Sequence, residues 1–379
     1  MVFTKKAKDF LTLGSSNMIS SLVYGIFWLY LASIIQKTEY GELGFFMGIM
    51  NVGLTISLLG LRSTIMVYEP KKENVFPAAF VLILISSAIS SIVVYFITQN
   101  LVVSILLVGV SIFTIILTGL NSKQFYKKYS IHIISRAMLT VVLTLILHNF
   151  LGITGILLGY FLSTLLILKE LPSFIRNNKF EFSVLKSKIS FIIYSYENAL
   201  SAVFFHWGDK LIIGALFGFS FLGSYYFAAQ YLMLLQVIPR SVSQYLLPQE
   251  ATGQKNTKIK ILSVIFSGLI SMASIIFVPI GIENLLPEYQ DSILAIQIMS
   301  VGIIPLTISS IQHTQFLGRE NSKIVLIGSI IQSGLYLILL VILGQSYGLV
   351  GIALSFLAAV IIRTVFNQFV VKYFQNNPS

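Results

Sequence analysis

Seven charged residues stand inside stretches of the chain that are otherwise apolar: Arg62, Arg136, Glu197, Asp209, Lys210, Arg240 and Arg363. A charge held in hydrocarbon is costly, so by default such residues face a cavity or a partner. Arg62, Arg136, Glu197, Arg240 and Arg363 each lie about 6 to 9 residues from one end of their stretch, ~9–14 Å deep at ~1.5 Å per residue. Guanidinium groups at a common depth can converge on one anion. Arginine suits a phosphate because its planar fork meets two oxygens at once and stays charged at any physiological pH. Arg62, Arg240, Arg136 and Glu197 therefore form the candidate substrate-binding set, aimed at a diphosphate, with Glu197 tuning or pairing with the arginines. At the same depth an arginine can also snorkel, its stem in lipid and its head at the surface, and Glu197 can serve as an ordinary ion-pair partner. Both alternatives stay open at the level of sequence.

His206, Asp209 and Lys210 form a second group. His206 and Lys210 are one helical turn apart, and Asp209 is within i+3 reach of His206. They are the candidates for coupling to a cation or a proton. The alternative is that Asp209 and Lys210 only mark a membrane boundary beside Trp207, a residue type at home in an interface. The four histidines (His132, His148, His206, His313) show no metal-ligand spacing, there is no cysteine, and no G-x-x-x-x-G-K-[ST] loop occurs. No metal and no cofactor is expected.

These residues must be carried by membrane helices. Apolar segments run over 10–35, 43–68, 75–98, 101–120, 129–147, 151–168, 189–217, 219–247, 261–282, 292–317, 324–344 and 347–371. Each reaches, or nearly reaches, the ~20 residues that cross ~30 Å of hydrocarbon. Nineteen of the 25 Lys and Arg fall at the N-terminus, in every second loop and in the tail, and the other loops hold only Lys37. By the positive-inside rule both termini are cytoplasmic. The net charge of +11 would suggest nucleic acid in a soluble domain, but here it follows from topology, so no nucleic-acid partner is expected, only membrane lipids on the basic face. The first apolar stretch is too long for a signal-peptide core and lacks a cleavage pattern, so it is read as the first spanning helix. The outward loops are too short to fold as a catalytic domain, which argues against an enzyme.

Residues 169–188 form the longest inward connection, and Phe180, Phe182, Val184 and Leu185 interleaved with Lys179, Lys186 and Lys188 suggest a helix on the membrane surface. This stretch divides the chain into an amino-terminal lobe, 1–168, and a carboxy-terminal lobe, 189–379. An internal repeat supports the division. Gly152-Ile-Thr-Gly155-Ile-Leu-Leu and Gly348-Leu-Val-Gly351-Ile-Ala-Leu correspond at an offset of 196, and Asn17 with Gly41 corresponds to Asn198 with Gly223 at an offset of about 182. Six helices per copy give both lobes one orientation, related by an axis along the membrane normal, with a cavity between them. Pro239, Pro248 and Pro305 are candidate hinges.

The chain also resembles a family. Gly208-Asp-Lys-Leu-Ile-Ile-Gly214, Leu222-Gly-Ser-Tyr-Tyr226 with Ala228-Ala229, and Ile238-Pro-Arg240 through Leu247-Pro248 are similar to the seventh and eighth helices of prokaryotic polysaccharide-biosynthesis flippases. Gly318-Arg-Glu-Asn-Ser-Lys323 through Tyr347-Gly-Leu-Val-Gly-Ile-Ala353 is similar to their last two helices. These are the Wzx-type members of the multidrug/oligosaccharidyl-lipid/polysaccharide exporter superfamily. The resemblance implies an all-α polytopic membrane protein, about twelve transmembrane helices in two six-helix lobes forming a V. It implies a monomer in a prokaryotic plasma membrane that flips a polyprenyl-diphosphate-linked oligosaccharide to the outer leaflet, beside glycan polymerase or glycosyltransferase machinery. It gives Arg62 and Arg240 cavity-lining roles and makes Asp209 the family's common acidic position. A multidrug or cation antiporter of the same superfamily would favour carboxylates in the first six segments, where two arginines stand instead. A lipid II flippase differs only in headgroup.

Overall fold

A computed structural model describes residues 2–175, 181–237, 239, 242, 246, 256–318 and 322–376. Helices run over Val2–Ile34 (α1), Lys37–Leu58 (α2), Leu61–Tyr68 (α3), Phe76–Thr98 (α4), Leu101–Ser122 (α5), Tyr126–Thr164 (α6), Ile189–Val203 (α7), Asp209–Phe217 (α8), Phe219–Leu235 (α9), Thr257–Leu285 (α10), Ile293–Val301 (α11), Ile303–Gly318 (α12) and Ser322–Asn376 (α13). Among the described residues there is no strand, and nine helical stretches are long and apolar enough to cross a membrane. The chain is a multi-pass membrane protein.

Two of those nine stretches are 49 and 47 residues long, more than twice what one crossing of ~30 Å needs. Each turns back at a glycine. Gly152 in α6 has φ 57° and ψ −137°, and Gly348 in α13 has φ 58° and ψ −136°, a region open in practice only to glycine. The equivalence extends past the turn. A Cβ on Gly155 would strike the Leu147 carbonyl, and a Cβ on Gly351 the Leu343 carbonyl, again 196 residues on. Two helical hairpins of one design thus stand where the sequence repeat places them.

Local chemistry sets the other boundaries. Gln99, in the left-handed region, ends α4, and the Asn100 side chain caps α5 by accepting from the amides of Val102 (3.0 Å) and Val103 (3.2 Å). The second apolar segment, expected as one run over 43–68, starts earlier and is broken. Leu59 (φ 49°) and Gly60 (φ 71°) both turn left-handed and separate α2 from α3. The reason lies on α7, since a Cβ on Gly60 would come within 2.6 Å of the Ile192 carbonyl.

Contacts divide the chain into two compact units, Met1–Tyr24 with Phe46–Val203, and Gly25–Phe45 with Phe204–Ser379. The first unit is packed around Phe76, Phe80, Phe113, Leu120 and Phe174. α7 joins it through the Glu73–Lys188 ion pair (2.8 Å) and the Tyr68 and Phe191 rings (5.3 Å between centroids). The second unit holds Tyr40 against Tyr226 (5.1 Å) and Tyr289 (6.1 Å), with the Tyr40 hydroxyl donating to the Trp28 carbonyl. Within it the start of α2 meets the start of α9 reciprocally, Gly41 against the Phe219 carbonyl and Gly223 against the Lys37 carbonyl, with Gly41 and Gly223 offset by the 182 residues of the repeat.

Candidate functional site

Four helices of the first unit present polar side chains to one cavity of about 360 Å³. α1 contributes Asn17, Ser20, Ser21 and Tyr24, and α5 contributes Thr114, Thr118 and Asn121 together with Phe113 and Leu117. α6 adds Tyr129, Ile133 and Arg136, and α3 adds Arg62 and Met66. The spacings of three, four and seven residues put each set on a single helix face. The lining contains two arginines and no carboxylate.

The two arginines reach the cavity by different means. Arg62 lies in the first turn of α3, where the break at Leu59–Gly60 places it; it is exposed and has no acid within ion-pair distance among the described residues. Arg136 is half-buried, with its guanidinium carbon 4.3 Å from the centre of the Phe113 ring and 5.3 Å from that of Tyr160. Its Nε–H is buried without an acceptor. Nearby, the Tyr129 hydroxyl donates to Asn17 Oδ1 at 3.0 Å, and the Tyr24 hydroxyl is 3.3 Å from Thr140 Oγ1.

Of the candidate binding residues, the structure brings Arg62 and Arg136 together. It does not bring Glu197 to them: Glu197 is exposed on α7, lines no part of this cavity and forms no ion pair among the described residues. Arg240 lies outside the described residues. Arg363 belongs to the second unit, where it donates to Gln332 Oε1. The sequence reading missed the neutral lining. Asn17, Ser20, Ser21 and Tyr24, spaced i, i+3, i+4 and i+7 in an apolar helix, were the available signal.

His206, Asp209 and Lys210 are gathered in the second unit at a π-helical turn, Phe204–Gly208, that leads into α8. Asp209 and Lys210 are 2% and 5% exposed, and Lys210 Nζ lies 2.9 Å from Asp209 Oδ1. Lys210 also donates to the His206 carbonyl (2.6 Å), and Asp209 Oδ2 accepts from the hydroxyls of Tyr225 and Tyr336 (3.1 Å for the latter). The pair is thus a satisfied buried network, because each charge is met by an opposite charge and by further hydrogen bonds. In the first unit Glu170, 9% exposed, plays a comparable part between Lys128 (2.9 Å) and His132 (3.3 Å). Among the described residues no cluster of His and acidic residues could hold a metal ion.

Residues 101–286 match a family described as polysaccharide biosynthesis protein. That span takes in the motifs from Gly208 to Pro248 and leaves those from Gly318 onward outside it. No curated protein matches the chain. Among solved structures, the chain is similar to the lipid II flippase MurJ in an inward closed conformation, at a TM-score of 0.63 and 16% identity, over 98% of this chain and 88% of that one. It is similar to the MATE multidrug transporter DinF-BH, solved as a ligand complex, at 0.69 and 16%, over 97% and 96%. It is also similar to a MOP superfamily transporter from Pyrococcus furiosus described as having a binding pocket of reverse polarity, at 0.59 and 16%, over 97% and 96%. At these identities the likeness establishes the fold, which is that of MurJ and the MATE transporters.

Proposed function

We propose that this member of the polysaccharide-biosynthesis family is a transporter that flips a polyprenyl-diphosphate-linked oligosaccharide from the inner to the outer leaflet. The observation that carries the reading is the first unit's cavity, where Arg62 and Arg136 stand among neutral hydrogen-bonding groups without a carboxylate. Flipping needs no covalent step. It needs a lower cost for moving a charged, hydrated headgroup through hydrocarbon. Two guanidinium groups meet the diphosphate, and Asn, Ser, Thr and Tyr side chains replace the water that sugar hydroxyls give up. The finer picture is twelve crossings in two six-helix lobes with cytoplasmic termini, alternating access in a prokaryotic plasma membrane, and a monomer that hands its cargo to glycan-assembling enzymes. The two 47- and 49-residue hairpins, the repeat and the charge bias support it.

A multidrug antiporter with the same fold would bind cations, and a cavity carrying two arginines and no acid repels them. Ion coupling is assigned to Asp209, Lys210 and His206, which the second unit gathers in one hydrogen-bonded network. The test is the sidedness of lipid-linked glycan in spheroplasts producing Arg136→Ala or Arg62→Ala. Glycan confined to the cytoplasmic face, with normal protein abundance, is expected for both. Wild-type sidedness in both variants would refute the assignment of this cavity.

A further inference from the structure

A cation inside a membrane protein ordinarily sits against a carboxylate, which satisfies its donors and cancels its charge. Arg136 does neither. Its guanidinium makes no hydrogen bond and no ion pair among the described residues, and its Nε–H is buried without an acceptor. What it has instead is two aromatic rings, Phe113 from α5 and Tyr160 from the returning half of α6. Tyr160 is braced in turn by the Tyr24 ring, 6.1 Å away between centroids.

The choice of partner matters chemically. The five N–H donors of arginine lie in the guanidinium plane. A carboxylate takes two of them and neutralises the group. An aromatic face offers its negative quadrupole to the cation and takes no in-plane donor. Rings therefore offset part of the cost of keeping the charge in the membrane interior while its hydrogen-bonding capacity stays free. The second unit provides a contrast. Gln332 stands at the position equivalent to Arg136 under the 196-residue offset, and the arginine of that hairpin, Arg363, is already engaged in plane by the Gln332 amide oxygen.

We propose that Phe113 and Tyr160 are positioning residues that hold Arg136 charged and unpaired, so that its free N–H edge receives one phosphoryl group of the headgroup. The proposal rests on the diphosphate reading of the cavity and adds the device that makes it work.

The test uses the full chain in lipid nanodiscs and inorganic pyrophosphate as the probe, with binding followed by calorimetry. Stepwise fluorination of the Phe113 ring keeps its shape but drains its π charge, so affinity should fall progressively, by about 3- to 30-fold in total if the contact has the usual strength of a cation–π pair. Thermal stability should stay unchanged. Phe113→Leu should reproduce the loss and Tyr160→Phe should retain binding. Affinity indifferent to fluorination, together with loss of binding in Arg136→Ala, would overturn the positioning role and leave the diphosphate reading intact. Failure of the unmodified protein to bind pyrophosphate would overturn both.

Discussion

Charges inside apolar segments pose one question to the fold, namely how each is compensated, and the described residues answer it in different ways. Asp209 and Lys210 compensate each other. Removing one partner of such a pair strands the other in the interior, so Asp209→Ala should lower stability by about 3–5 kcal/mol. Replacing both by apolar residues of similar size, as in Asp209→Leu with Lys210→Met, should recover most of that loss. Thermal denaturation of the three proteins decides it, and a single variant as stable as the parent would show that the network contributes nothing. The Lys37–Asp291 pair is different in kind. It is short (2.6 Å), but the Asp291 side chain is 47% exposed, so Lys37→Met should change stability by under about 1 kcal/mol. Arg136 is compensated only by aromatic rings, and Arg62 faces the same cavity without an acid. From sequence the four arginines share one depth, and Arg62, Arg136 and Arg240 are the binding candidates. Depth was legible and compensation was not, because the partners come from helices tens of residues away.

The elements that matter most for the site are broken ones. α3 carries Arg62 because Leu59 and Gly60 interrupt an otherwise continuous apolar segment, and hydropathy alone cannot register a break that leaves composition unchanged. Gly60→Ala should disturb both the left-handed turn and the approach of α7 at Ile192, lowering transport along with abundance. The hairpins turning at Gly152 and Gly348 allow a sharper comparison. Their backbone angles agree within 1°, so Gly152→Ala and Gly348→Ala should each cost about 1–3 kcal/mol, and by the same amount. Denaturation midpoints that differ widely would separate the two hairpins energetically. The correspondence itself was readable in the sequence, because glycine at a tight return is a demand on the backbone rather than on distant partners.

At the scale of the whole molecule, topology is the property that charge fixes. Reporter fusions after Gln99, Leu151 or Gly218 should be active outside the membrane, and fusions after Lys72, Phe125 or Ser187 only inside. A reporter exported after Phe125 would break the twelve-crossing count at its fourth helix. The contacts of the described residues group the end of α1 and the start of α2, Gly25–Phe45, with the second unit and α7 with the first. The three divisions fall within continuous helical runs, after Tyr24 in α1, after Phe45 in α2 and just before the π-helical turn at Phe204.

The sequence by itself determined the class of the protein, a multi-pass membrane protein, and the correspondence of its two hairpins. Both follow from local quantities: apolar length against bilayer thickness, and glycine where the backbone must turn back. It also narrowed the anion-binding candidates to a few arginines, because a charge in an apolar run is conspicuous. Among the described residues, the tertiary structure alone decided that Arg62 and Arg136 share a cavity, that Glu197 does not line it, and that Arg136 is held by Phe113 and Tyr160 instead of an acid. Those are facts about side chains from separate helices meeting in three dimensions, and no periodicity along one helix encodes the partner on the next.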